Sequence, residues 1–185
     1  MRVVAGRADI ENLDDFLEDI GEIADEFDCA VQAFDADYVL GRDHLRTAVE
    51  RADRAFDRGE NVARERAVEI LLYAAGRRQI DRAFEMGVSE GESDVVVVVH
   101  SPDGEGERER AAAEAVGDLL APATGDAGAS GTAGEGASAG TVAPDRIDRE
   151  AVREFFDVTE TELDATDAEL ADVVRERVAL LDVEK

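Results

Sequence analysis

Lysine is almost missing from this chain. Of its twenty basic residues nineteen are arginines and one is Lys185, against forty-six acidic residues and a net charge of −26. Such an excess of carboxylates fits surface solvation at very high salt, as in a cytosolic protein of halophilic type. Cysteine is nearly absent as well: Cys29 stands alone, which excludes an intrachain disulfide and a cysteine zinc cluster. Histidine occurs twice, at His44 and His100, far apart and in no H-x-E or H-x-x-x-H pattern, so a metal-hydrolase site is not expected. There is no Walker lysine, no G-x-S-x-G and no G-x-G-x-x-G after a strand, and carboxylates this abundant say nothing about acid/base pairs. No enzyme and no cofactor is expected. The apolar runs, Val95 to Val99 among them, are far too short to span a bilayer, and Met1 to Arg7 lacks the apolar core of a signal peptide. The expectation is a soluble, cytoplasmic protein with no membrane partner.

What is present is unevenly placed. The stretch 41–82 holds ten of the twenty basic residues against eight acidic ones, so it is slightly positive in a strongly negative chain. Local relief of a global negative field suggests that something anionic, or an acidic partner surface, approaches this face. Near 1 M salt the Debye length is about 3 Å, so only contact-distance, bidentate arginine interactions could hold an anion there.

The length predicts a single globular domain. Residues 1–120 form its main part. Short strands are expected at Val3–Ala5, Cys29–Phe34 and Tyr38–Leu40, and the β-branched run Val95–Val99 reads as a central strand with helices on both faces. Helices are expected after Asn12, over Arg42–Arg58 ended by Gly59, from Asn61 to a stop at Gly76, from Gln79 to Met86, and over Arg108–Leu120. The Ala/Gly-rich stretch 121–144 reads as a flexible insertion. Residues 145–185 return to helix, with capping boxes at Thr159/Glu162 and Thr166/Glu169, and their large apolar residues predict docking on the same domain.

The segment Ala74-Ala-Gly-Arg-Arg-Gln-Ile80 carries the main chemical signal. A helix stopped by Gly76 with a new helix just beyond leaves N–H groups near Arg78–Arg82 at a positive dipole end, beside the forked donors of Arg77, Arg78 and Arg82. These suit phosphate oxygens. The competing reading is that Arg77 and Arg78 satisfy the C-terminal carbonyls of the preceding helix and pair with Asp81 or Glu85. The series Arg46, Arg51, Arg54 and Arg58 reads as a solvated helix face, since Glu50, Asp53 and Asp57 interleave with it.

The order of features resembles a known family. The Val-Val-Ala-Gly strand at 3–6, the run Ala33-Phe-Asp-Ala-Asp-Tyr-Val-Leu40 leading into the His44 helix, the segment Glu69-Ile-Leu-Leu-Tyr-Ala-Ala-Gly-Arg-Arg-Gln-Ile80 and the closing Val178-Ala-Leu-Leu-Asp-Val183 are similar to the small kinase-binding subunit of the KEOPS complex. Those subunits are the archaeal relatives of TPRKB. The resemblance implies an α/β fold, a small mostly antiparallel or mixed sheet packed by several helices, and a non-catalytic regulatory subunit that binds the PRPK-like kinase/ATPase subunit and, through it, meets the threonylcarbamoyl transferase. It further implies help in recruiting tRNA by its single-stranded 3′ CCA tail for N6-threonylcarbamoyladenosine formation at position 37. On this basis Arg77, Arg78 and Gln79 are the expected RNA-binding residues, with Arg82 added from its position alone. Ile80, Phe84 and Met86 are the expected kinase-contacting set. A purely structural adaptor without RNA contact is the alternative.

Overall fold

A computed structural model describes residues 1–104, 106–122, 148–166 and 168–181 of the protein. Its centre is the valine run. The strand β3 (Gly91–His100) contains Val95 to Val99, each no more than 1% exposed, and burial of each such side chain stabilises by roughly 1.5–3 kcal/mol. It pairs antiparallel on one side with β1 (Arg2–Ile10), Val3 opposite Val98, and on the other with β2 (Ala30–Asp35), Val31 opposite Val99. A two-residue strand β4 (Ala121–Pro122) adds to β1, giving the order β2-β3-β1-β4. The sheet is antiparallel throughout, within the mostly antiparallel or mixed class expected.

Side chains alternate along a strand, so the valines divide between two cores. Val96 and Val98 face one cluster with Val3 and Phe34, whereas Val97 and Val99 face the other with Val31 and Ala33. The second face is covered by α1 (Leu13–Phe27) through Ile20 and Ile23, and by α5 (Gly106–Leu119) through Ala112 and Val116. Asn12 caps α1 by accepting from the N–H groups of Asp14 and Asp15. The first face carries α2 (Arg42–Arg58), α3 (Arg66–Ala74) and the C-terminal helices α6 (Arg149–Phe155) and α8 (Leu170–Leu180). Val152, Phe155, Phe156, Val174 and Val178 lie in the same core cluster as Leu45 and Ile70, so the C-terminal helices belong to the main body.

Several boundaries depart from the sequence expectations. Tyr38–Leu40 is not a strand: Ala36–Tyr38 is a 3-10 turn, opened by the Asp35 side chain accepting from the Asp37 N–H. The third helix begins at Arg66 instead of near Asn61. The reason is Glu69, whose buried carboxylate accepts from the N–H groups of Val62 (3.0 Å) and Ala63 (2.8 Å), holding this stretch out of the helix. Replacing Glu69 by Gln removes the charge assistance and should lower stability by about 1 kcal/mol. Amide exchange at residues 62 and 63 checks it, and unchanged protection there would count against this role. Thr159 does cap its helix, α7 (Glu160–Thr166), by accepting from the Glu162 N–H, but Glu169 serves as the N-cap residue of α8 instead of the fourth position of a box. Of the expected insertion, only Ala121 and Pro122 fall within the described residues, and they form β4; the rest of 121–144 lies outside them.

Candidate functional site

The turn after α3 is built by Gly76. Its φ of +61° is left-handed, and the bonds Arg77 N–H to Leu72 O (3.0 Å) and Gly76 N–H to Tyr73 O (2.9 Å) close the helix end as a Schellman motif. The carbonyls of Leu72 and Tyr73 are therefore met by backbone, and the side chains of Arg77 and Arg78 are left for other work. They do not pair with Asp81 or Glu85. Glu85 pairs instead with Arg82, at 4.0 Å and largely exposed.

The two consecutive arginines reach different helices. Arg77 donates to the carbonyl of Phe155 and to Oδ2 of Asp157 (3.2 Å), and its guanidinium lies over the Phe155 ring at 5.2 Å. Arg78 donates to the carbonyl of Leu181 at 3.1 Å. Phe155 is the last residue of α6 and Leu181 the C-cap of α8, so each arginine meets the negative end of a C-terminal helix. Both guanidinium groups thus have intramolecular partners, other than the ones the competing sequence reading named. Both are half-buried; Gln79 and Arg82 are exposed. The next helix, α4 (Ile80–Ala83), is a single turn, too short to supply the helix-dipole anion site expected there.

The expected apolar contact set divides. Ile80 and Phe84 are 37% and 54% exposed, one helical turn apart on the outer side. Met86 is 0% exposed and sits with Ala83 in the main core, so it is corrected from a partner contact to a core residue. The reason is that the α-helix ends at Ala83 and the chain continues as a 3-10 turn, Phe84–Met86, which carries Met86 round to the core while Ile80 and Phe84, four positions apart, stay outside.

Behind the turn lies His44, wholly buried in α2. Its Nδ1 accepts from the Leu40 N–H (3.3 Å) and its Nε2–H donates to the carbonyl of Ala74 (2.8 Å), while the ring meets Phe156 edge-on at 5.9 Å. Burial pushes its pKa down to about 4, only partly opposed by the Ala74 carbonyl. The sequence placed His44 at the start of its helix correctly, but no local signal could show that it braces the turn thirty residues later.

The second histidine ends β3, as expected. His100 Nε2 meets both carboxylate oxygens of Asp53, at 3.0 and 2.8 Å, and Arg66 binds the same group at 2.5 Å. Burial raises the Asp53 carboxyl, but the hydrogen bond of His100 and then the Arg66 guanidinium outweigh it, leaving it below the usual range. Nearby, burial likewise opposes ionisation of Glu109, which the α-amino group of Met1 (2.6 Å) and the Ser101 N–H (3.1 Å) more than offset. Among the described residues no group of three or more His, Cys, Asp or Glu is arranged to hold a metal, and no helix is long and apolar enough to cross a membrane.

Comparison with known proteins adds one finding. The family model described as kinase binding protein CGI-121 matches residues 8–182, which takes in both faces of the sheet, the Gly76 turn and the C-terminal helices. No curated protein matches the chain.

Proposed function

The chain belongs to the CGI-121 family of kinase-binding proteins, and from this we propose that it is a non-catalytic, cytoplasmic regulatory subunit of an archaeal KEOPS-type assembly. It binds the PRPK-like kinase/ATPase subunit, meets the threonylcarbamoyl transferase only through that kinase, and helps recruit tRNA for modification of adenosine 37. The observation that carries the reading is the family match over nearly the whole chain. The surface that suits the kinase is the outer side of the 80–84 turn, where two large apolar side chains stand exposed without serving the core. Replacing Phe84 by Asp together with Ile80 by Asp should weaken co-purification with the kinase subunit at least about tenfold, the effect of losing an interface hot spot. Retained binding would move the interface elsewhere.

The RNA part of the proposal rests on Gln79 and Arg82, exposed beside the half-buried Arg77 and Arg78. A base edge or the 3′ terminal phosphates could be met by an amide and a guanidinium one turn apart. The adaptor reading is favoured by a specific observation, the intramolecular bonds of Arg77 and Arg78. Substituting Gln79 and Arg82 by Ala separates the two readings, because neither side chain supports the fold. Loss of tRNA binding with kinase binding intact, and equal weakening on trimming the CCA end, supports recruitment. Unchanged tRNA binding leaves the adaptor.

A further inference from the structure

We propose that Arg77 and Arg78 form a latch that fastens the C-terminal ends of α6 and α8 to the α3–α4 turn, and that a phosphate-bearing ligand arriving there competes with those ends for the same guanidinium groups. The competition rests on the reading that this turn receives RNA. The fastening does not.

The geometry carries the first half. Two neighbouring residues, directly after the left-handed Gly76, bond to helix ends 78 and 103 positions further along the chain. Both ends need such donors. α6 closes through Asp157, which is left-handed at φ +54°, with Val158 N–H to Arg153 O and Asp157 N–H to Glu154 O, so the Phe155 carbonyl has no backbone partner and Arg77 takes it. Leu181 likewise offers Arg78 a terminal carbonyl of α8. A third arginine, Arg177, joins these ends by donating to the Asp157 carbonyl (3.1 Å) and to Glu162 (2.9 Å).

The chemistry of the acceptors carries the second half. Two are neutral carbonyls, and the one carboxylate, Asp157, is 74% exposed in its side chain, so solvent screens its pull on Arg77. A phosphate oxygen bears a full charge and makes a stronger hydrogen bond to guanidinium than a carbonyl does. The helices themselves stay in place, because Phe155, Phe156, Val174 and Val178 remain buried in the core. What ligand binding releases is their ends, and by reciprocity loosening those ends favours the ligand.

Asp157→Asn in the full chain tests this, since asparagine tolerates the left-handed conformation while losing the charge that competes for Arg77. Glu154→Gln, on the exposed side of the same helix, removes an equal charge without touching the latch. With intact tRNA as probe, at fixed KCl, D157N should bind about two- to fivefold tighter than wild type, the size of an exposed ion pair, and more tightly than E154Q. Binding of tRNA to the wild type should also speed amide exchange at 155–158 and 178–181 but not in β3. Equal tightening by both variants, or tRNA binding with no change in exchange, overturns the competition. Failure of the wild type to bind tRNA defeats the RNA reading and the competition with it. The fastening is then decided by exchange alone: faster exchange at 155–158 in Arg77→Ala than in E154Q upholds it, and equal exchange overturns it.

Discussion

As the pH falls from about 6.5 toward 4, the protein should lose about 3 kcal/mol of stability through His44 alone. The sign follows from the depressed pKa. Between the unfolded value of 6.5 and the folded value of about 4, the unfolded chain binds a proton that the buried ring refuses, so acid favours unfolding. Above 6.5 the contribution is fully present. The refusal has a geometric basis besides burial, because Nδ1 faces the Leu40 N–H and a proton placed there would set donor against donor. Asp53 and Glu109, held below the usual carboxylate range, lose stability in the same direction at lower pH. Asp35 and Asp37, raised first by burial and then by neighbouring carboxylates, act oppositely and regain stability as acid neutralises them. His44→Gln isolates the histidine. Its amide can still donate to Ala74 O, it leaves the Leu40 N–H unpaired at a cost of about 1–3 kcal/mol at neutral pH, and it cannot titrate. Urea unfolding of both proteins across this pH range, at one salt concentration, should give curves that converge on acidification. Parallel curves would remove His44 from the account.

Replacing Phe156 by Ala should cost about 3–5 kcal/mol, the range for deleting a buried phenyl ring. Phe156 is 3% exposed and stacks edge-on against both His44 and Phe155, the latter at 4.9 Å. It also lies 3.8 Å from where a Cβ on Gly76 would stand, so its loss opens a space directly behind the arginine turn. The comparison that gives this prediction force is Phe84→Ala. That ring is mostly in solvent, so its removal should change stability by less than about 1 kcal/mol while reducing kinase binding. Denaturant midpoints and kinase co-purification, measured on both variants, should therefore rank them in opposite orders. A Phe156→Ala protein within about 1 kcal/mol of wild type would mean that the C-terminal helices are only lightly held.

These two residues also mark how far local sequence reaches. The uninterrupted β-branched run Val95–Val99, the apolar stripes of the helices at 13–27 and 42–58, and the end of a helix at Gly76 are properties of a few neighbouring residues, and each was legible as such. Misreadings arose where a side chain bonded the backbone a few residues away, or where the core decided which side of a turn is buried. Glu69 holds residues 62 and 63 out of the helix, and the Asp35 side chain turns the Tyr38 region into a 3-10 turn. Met86 and Phe84, two residues apart in sequence, were indistinguishable as apolar candidates until the core occupied one side of that turn.

The arginine pair is the clearest division. Sequence by itself determined that Arg77 and Arg78 follow a left-handed glycine at a helix end and would need acceptors, because that depends on local dihedrals and on guanidinium chemistry. Only the tertiary structure decided which acceptors: the carbonyls at the ends of α6 and α8, brought to the turn by the burial of Phe155, Phe156 and Val178 in a core assembled from both halves of the chain. A guanidinium donates to whichever oxygen is correctly placed, so its intramolecular partner is set by where long-range apolar packing leaves the helix ends, and no local pattern encodes that.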